Sequence, residues 1–300
     1  MSRSVATLNS IRLHNALSHG RELDIPEYTT INEIMDDASE IPHQPSPANR
    51  AMQFAEDYNF LTDKGNIHIQ YLAIGRGGHY IAADDFKNYD KLATMNALYE
   101  MIPWVVRPIG SDLTLSQRNN YRLRKTLLIN GAMYAAYYLR KLDMDSASEQ
   151  NNVTIINNGN ETTYSHTPTQ SDLKPQPYVS PVNPDNDGSF VTSNLIINLD
   201  LTVQDIQWIK DGCALIYGDE NKAIISEIAV CSGVDKPVTL SYSNSTTPVL
   251  SSVAPGALRE AVAVQVCAHL VDVVYVLRAM NTLTLTLDVG GSEPLLGGAT

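Results

Sequence analysis

Apolar residues recur at helical spacing from Ala257 to Met280. Leu258, Val262, Val266, Leu270, Val273, Val274 and Leu277 follow a 3.6-residue period, and Ala263, Val264, Cys267 and Val276 fill much of the remaining circumference. Pro255 suits a first helical turn, where its missing N–H has no intrahelical partner. The pattern predicts one long buried helix over about 255–280. Its charges, Arg259, Glu260, His269, Asp272 and Arg278, fit the centre of a soluble protein rather than a membrane span. Thr282 to Leu287 then alternates polar and apolar residues, the period of a half-buried strand, and Gly290-Gly291 ends the alternation.

Two further helices are predicted in the first half. Asp84 or Asp85 caps one with apolar positions Leu92, Met95, Leu98, Tyr99 and Ile102, and Thr114 or Ser116 opens another over about 117–142. Val5 to Leu17 reads as a short amphipathic segment, Asn32 or Thr30 as the cap of a turn through Met35, and Pro47 as the start of a turn through Met52, Phe54 and Ala55. Ile67 to Ile74 reads as a strand. The second half offers an Asn-Gly hairpin signal at Asn157–Asn160, strands at 190–201, 214–217, 223–230 and 237–242, and a short helix capped by Thr202 that ends before Gly212. The expected class is α+β: a helix-rich N-terminal half, and a β-rich C-terminal half packed around the helix at 255–280. The expected organisation is an arm with short helices (1–50), a helix-rich region (51–145), a hairpin and Pro-rich excursion (146–189) and a β-rich region with the central helix (190–300). Ser165 to Ser189, with five prolines and little hydrophobicity, needs a neighbour to order it.

A net charge of -12 disfavours broad contact with nucleic acid, whose backbone is bound by clustered Lys and Arg. The charged fraction, 18% against roughly 25% in typical globular chains, leaves a surface of Ser, Thr, Asn and Tyr. Such a surface loses little on being covered by another subunit. Cys213, Cys231 and Cys267 are odd in number and sit in apolar runs, so they read as buried thiols in a reducing compartment. The opening residues carry no apolar core of a secretory signal, and an intracellular location is expected.

No constellation carries a recognisable chemistry. Gly75-Arg76-Gly77-Gly78 follows a strand, but Tyr80 stands where a dinucleotide fingerprint needs glycine and no Gly-Lys-Ser/Thr follows, so a structural turn is expected. His68, His79, Asp84 and Asp85 have no established metal-ligand spacing, the cysteines form no Cys-x-x-Cys pair, and no Gly-x-Ser-x-Gly elbow is present. Neither catalysis nor a cofactor is expected. The candidate interaction residues are Arg118, Arg122, Arg124 and Lys125, a basic face on the helix expected at 117–142 in an otherwise acidic chain.

The Pro-rich excursion Ser165 to Ser189, the run Asn194 to Leu201 and the polar-rich strands give the chain the look of a viral capsid component. As a profile it resembles the clamp or large protrusion proteins on the inner shells of turreted double-stranded RNA viruses of the cypovirus kind. The resemblance implies a non-enzymatic protein of the virion, assembled in the host cytoplasm, that locks shell subunits together. Its partners would be other capsid shell proteins and copies of itself, with no membrane and no direct nucleic-acid contact. The competing reading is a cytoplasmic enzyme or ligand-binding protein whose site residues are scattered along the chain.

Overall fold

Arg259–Leu270, the heart of the run that reads as a long helix, is a β-strand in the computed structural model, and every residue after Arg259 in it is buried. A strand covered on both faces loses the alternation of two and presents a continuous apolar run, which mimics a buried helix in periodicity. The β-branched Val262, Val264 and Val266 favour the extended form. The structure describes residues 5–19, 23, 25, 30–31, 52–54, 67–82, 85–88, 96–157, 160–167, 188–240, 259–271, 275–280 and 282–294. The helical turn expected near Met35, most of the Pro-rich excursion and residues 255–258 and 272–274 of the long apolar run lie outside them.

The chain forms two units, Met1–Asp143 with Asp200–Thr284 and Met144–Leu199 with Leu285–Thr300. The first opens with β1 (Val5–Ala6) and α1 (Leu8–His19). It continues through β2 (Met52–Phe54), β3 (His68–Gly75), β4 (His79–Ala82), β5 (Asp85–Asn88), β6 (Met101–Ile102), β7 (Val105–Pro108), the one-turn α2 (Leu115–Arg118), β8 (Tyr121–Ile129) and β9 (Ala132–Lys141). The second unit takes β10 (Ser148–Asn157), β11 (Asn160–Ser165) and most of β12 (Gly188–Leu201). The chain returns to the first for α3 (Val203–Tyr217), β13 (Ile224–Ile225), β14 (Glu227–Leu240), β15 (Arg259–Leu270) and β16 (Tyr275–Val276), and ends in β17 (Leu283–Pro294).

The fold is therefore predominantly β in both halves, which corrects the α+β class and its helix-rich first half. The helix expected over 117–142 is the β8–β9 hairpin. Asn130 and Gly131 both have positive φ, 51° and 80°, the geometry of a two-residue turn whose twist suits paired strands. Thr114 does cap a helix, with a full capping box to Gln117, but it lasts four residues. Met52 to Phe54 and Asp85 to Asn88 are strands rather than helical turns. Thr202 caps α3 as expected, but the helix runs through Gly212 to Tyr217, where Gly218 at φ 73° stops it, so no strand forms at 214–217. Gly212 lets the helix lie against β7, since a Cβ there would come within 3.0 Å of Val106 Cγ2. Strand β17 also continues past Gly290-Gly291.

In the first unit the sheet order is β1-β15-β14-β3-β9-β7, with β2 on β14, β6 on β3 and β8 on β9, all antiparallel. The sheet curls far enough for β8 to touch β15, although three strands stand between them in the pairing order. One buried cluster holds Tyr71, Leu123, Tyr138, Leu139, Cys231, Val264 and Val266; another packs Val234, Val262 and Cys267 with Leu13 of α1. Bulges interrupt β14–β15 and β14–β3, and they supply the added twist that such curling needs. The bulge on β3 frees Gln70, whose side chain donates to Gly233 O at 2.6 Å.

In the second unit β11, β10, β12 and β17 form one antiparallel sheet in that order. Val153 pairs with Val191 and shares its face with Ile197, Leu285 and Leu287, while Asn198 and Thr286 hydrogen-bond on the other.

Gly233 is the tightest backbone position at the bulges. A Cβ would stand 2.9 Å from Tyr71 Cε2 and 3.1 Å from Val262 O. Gly233→Ala is expected to destabilise the protein by about 1–3 kcal/mol, read as a lower midpoint with unchanged slope in urea unfolding.

Candidate functional site

The basic residues singled out in the sequence lead into the molecule. Arg118, at the end of α2, and Arg122 and Arg124, on β8, are buried, and Lys125 is half-buried. No helix face carries them, so the expected partner surface is replaced by a set of internal ion pairs. Strand alternation is broken at Leu123, whose φ is 54°, and this lets neighbouring arginines reach different carboxylates.

Asp112 receives Arg118 Nη2, Arg124 Nε at 3.0 Å, Tyr137 Oη at 2.8 Å and the Leu113 N–H at 2.7 Å. Asp235, near the far end of β14, receives Arg122 through Nε at 2.7 Å and Nη2 at 2.9 Å, Tyr71 Oη at 2.8 Å and Lys141 Nζ at 3.1 Å. Arg122 Nη1 also donates to the carbonyls of Arg118, Asn119 and Tyr121. Asp205 closes the capping box of α3 with Thr202 and takes Arg140 at 2.8 Å and Tyr121 Oη at 3.0 Å. Each node ties segments far apart in sequence, with two or more donors on one carboxylate.

Two glutamates do the same for backbone. Glu260 of β15 accepts the N–H groups of Leu123, Arg124 at 2.9 Å and Ala261 at 2.8 Å. Glu227 of β14 accepts those of Gly77 at 3.1 Å, Tyr99 at 2.9 Å and Glu100 at 2.7 Å, with His269 Nε2 3.4 Å away. The glycine turn is thus held by the chain's own anion, and Gly77 cannot offer that N–H to a phosphate. A Cβ on Gly77 would fall 2.7 Å from Tyr99 Cβ, so glycine is required for the close approach. His68 opens β3, whereas His79 opens β4 beyond the glycine turn at the other end of β3. They do not converge, and among the described residues no group of three His, Cys, Asp or Glu is placed to hold a metal.

The electrostatics follow from burial. Desolvation and the neighbouring carboxylates push the phenols of Tyr71, Tyr121 and Tyr137 far above their ordinary range, so they act as neutral donors. Burial opposes the charge on Asp235, yet its bonds from Arg122 and Tyr71 hold its carboxyl well below the usual range. Burial pushes Glu260 up, against its three N–H donors. The thiol of Cys213 is pushed up to about 12 by burial, and those of Cys231 and Cys267 are also raised; all three are free and buried. Sequence reasoning found the arginines and missed every carboxylate they meet. The one available signal was charge itself: Glu260 and Glu227 lie beside or within apolar runs that leave an acid no exit to water.

The two acids have opposite linkage. Asp235, depressed in the fold, stabilises above its unfolded value near 4 and loses that contribution as pH falls toward the lower folded value. Glu260, raised in the fold, favours folding when protonated and loses that contribution as pH rises through its folded value. Asp235→Asn is expected to cost about 3 kcal/mol at neutral pH and much less in acid, measured by denaturant unfolding at both. Separately, the native chain should resist a thiol reagent at pH 8 that modifies all three cysteines once it is unfolded.

Among the described residues, no helix is long and apolar enough to cross a membrane. No curated protein and no solved structure matches the chain. A family model described as a family of unknown function, DUF7208, matches residues 1–300, and the chain belongs to that family.

Proposed function

We propose that the chain is a non-catalytic structural subunit that docks on neighbouring protein subunits, in the manner of a capsid component that clamps or cements a shell. The observation that carries this reading is β11. In the second unit Val153 of β10 is buried, but its cross-strand partner Tyr164 is 45% exposed on the same face. All six residues of β11 are exposed, so side chains on both faces of the strand lie open. Among the described residues the strand ends its sheet and pairs with β10 alone, and it carries a single charge, Glu161. It contains no proline or lysine of the kind that blunts free edges.

Such a strand suits contact with another protein. Thr and Asn side chains are cheap to desolvate when they find partners, and Tyr adds apolar area with a polar tip. The internal use of the core's charged side chains supports the same reading, because Arg118, Arg122, Arg124 and Arg140 fix strands to one another. The acid nodes place their donors for cross-linking, with carboxylates already saturated by N–H and O–H groups. Virion location and shell partners are carried over from the resemblance in profile.

Light scattering of the full chain, alone and with co-expressed shell proteins, tests the reading. Association is expected in the wild type and should be lost in a Thr162→Lys, Tyr164→Asp variant whose unfolding midpoint is unchanged, since exposed positions alter stability little. A wild type that stays monomeric beside every shell protein would overturn it.

A further inference from the structure

Asp235 is shared by more positive charge than it can neutralise. Arg122 takes both of its oxygens from the buried side, and two further cations reach the same Oδ2 from outside, Lys141 Nζ at 3.1 Å and Arg259 Nε at 3.7 Å. The side chain of Asp235 is 12% exposed, whereas Lys141 and Arg259 are 39% and 49% exposed. Glu260, one residue from Arg259, is buried, engaged by three backbone N–H groups and acts on the buried Arg122, so that Asp235 and Glu260 together still leave the three cations in excess. The oxygens of Asp235 are filled by Arg122, Tyr71 and Lys141. Arg259 Nη2 also donates to the Asp235 backbone carbonyl at 2.9 Å, so each of these two exposed side chains spends one N–H on Asp235 and keeps others.

We propose that Lys141 and Arg259, braced through Asp235 by the buried Arg122, receive the carboxylates of an acidic segment on another protein subunit. The proposal rests on the docking reading above and names the chemistry of its partner. Charge complementarity selects that partner. The chain carries -12 overall, so a small cationic spot on an acidic body suits a short acidic stretch. A nucleic-acid backbone would meet repulsion on either side and needs several phosphate contacts to bind at ordinary salt. The site is also preorganised: Asp235 holds both cations close together, which removes part of the entropy two long side chains lose on binding. Copies of this acidic chain are themselves eligible donors of such a segment.

The test uses the full chain and a fluorescein-labelled oligoglutamate peptide, followed by anisotropy at about 25 mM salt, where the screening length is long. Binding is expected, should weaken steeply in about 0.3 M salt, and should fall by about tenfold in Lys141→Gln, Arg259→Gln. Lys141→Arg should retain it. Arg259→Gln alone, at the more exposed position, should show an intermediate loss with an unchanged unfolding midpoint, which separates recognition from folding. Absence of wild-type binding at low salt, or equal binding by the double variant, would overturn the proposal. Tighter binding of an oligonucleotide of matched charge through the same two residues would overturn it in favour of nucleic acid. Light scattering of the wild type with its partners reads the docking proposal independently. If association persists in the double variant, only the acidic-segment assignment fails.

Discussion

The carboxylate of Glu260 occupies the place where the curled sheet comes round on itself. Among the described residues β8 and β15 touch without a ladder between them, and β8 is irregular there, with Leu123 in the left-handed region. The N–H groups of Leu123 and Arg124 are directed to Glu260 instead of to a neighbouring strand. A buried amide left unpaired costs about 1–3 kcal/mol, and a non-glycine residue at positive φ costs of order 1–3 kcal/mol more. One side chain thus satisfies two buried donors and holds the strained residue between β8 and β15. The raised pKa direction of Glu260 shows the cost of putting a carboxylate in that position.

The same device recurs wherever the backbone departs from regular pairing. Glu227 gathers the amides of the glycine turn and of Tyr99 and Glu100, Asp112 gathers α2 and β8, and Asp205 joins the start of α3 to β9. Irregular segments leave donors that ladders would otherwise use, and buried acids surrounded by fixed N–H and O–H groups satisfy them. This placement explains how a chain with few charges comes to bury Arg118, Arg122 and Arg124. The second unit's hairpin has little charge, with Glu149 and Glu161 alone on its two strands, and on that surface the docking reading stands.

What could be read from the sequence depended on how many faces of an element are covered. The strand at 67–74, the helix opened by Thr202 and the Asn-Gly hairpin near 158 were legible, because caps, turn residues and flanking polar positions mark them. β15 was not, since burial on both faces erased its alternation and two bulges shifted its phase. The β8–β9 hairpin carried its own sign in Asn130-Gly131, which the apolar spacing of Leu127, Leu128, Ala132 and Ala135 concealed by matching a helical period equally well. The basic residues were visible as charges but not as cross-links. Their partners lie 6 to 113 positions away, a separation no local pattern encodes.

Amide hydrogen exchange at Leu123 and Arg124 tests most directly whether Glu260 stitches β8 to β15. In the wild type both amides should exchange as slowly as ladder amides of β9, and in Glu260→Ala they should exchange faster by orders of magnitude while the β3–β14 ladder stays protected. Fast exchange at Leu123 and Arg124 in the wild type, or protection unchanged by the substitution, would contradict the account.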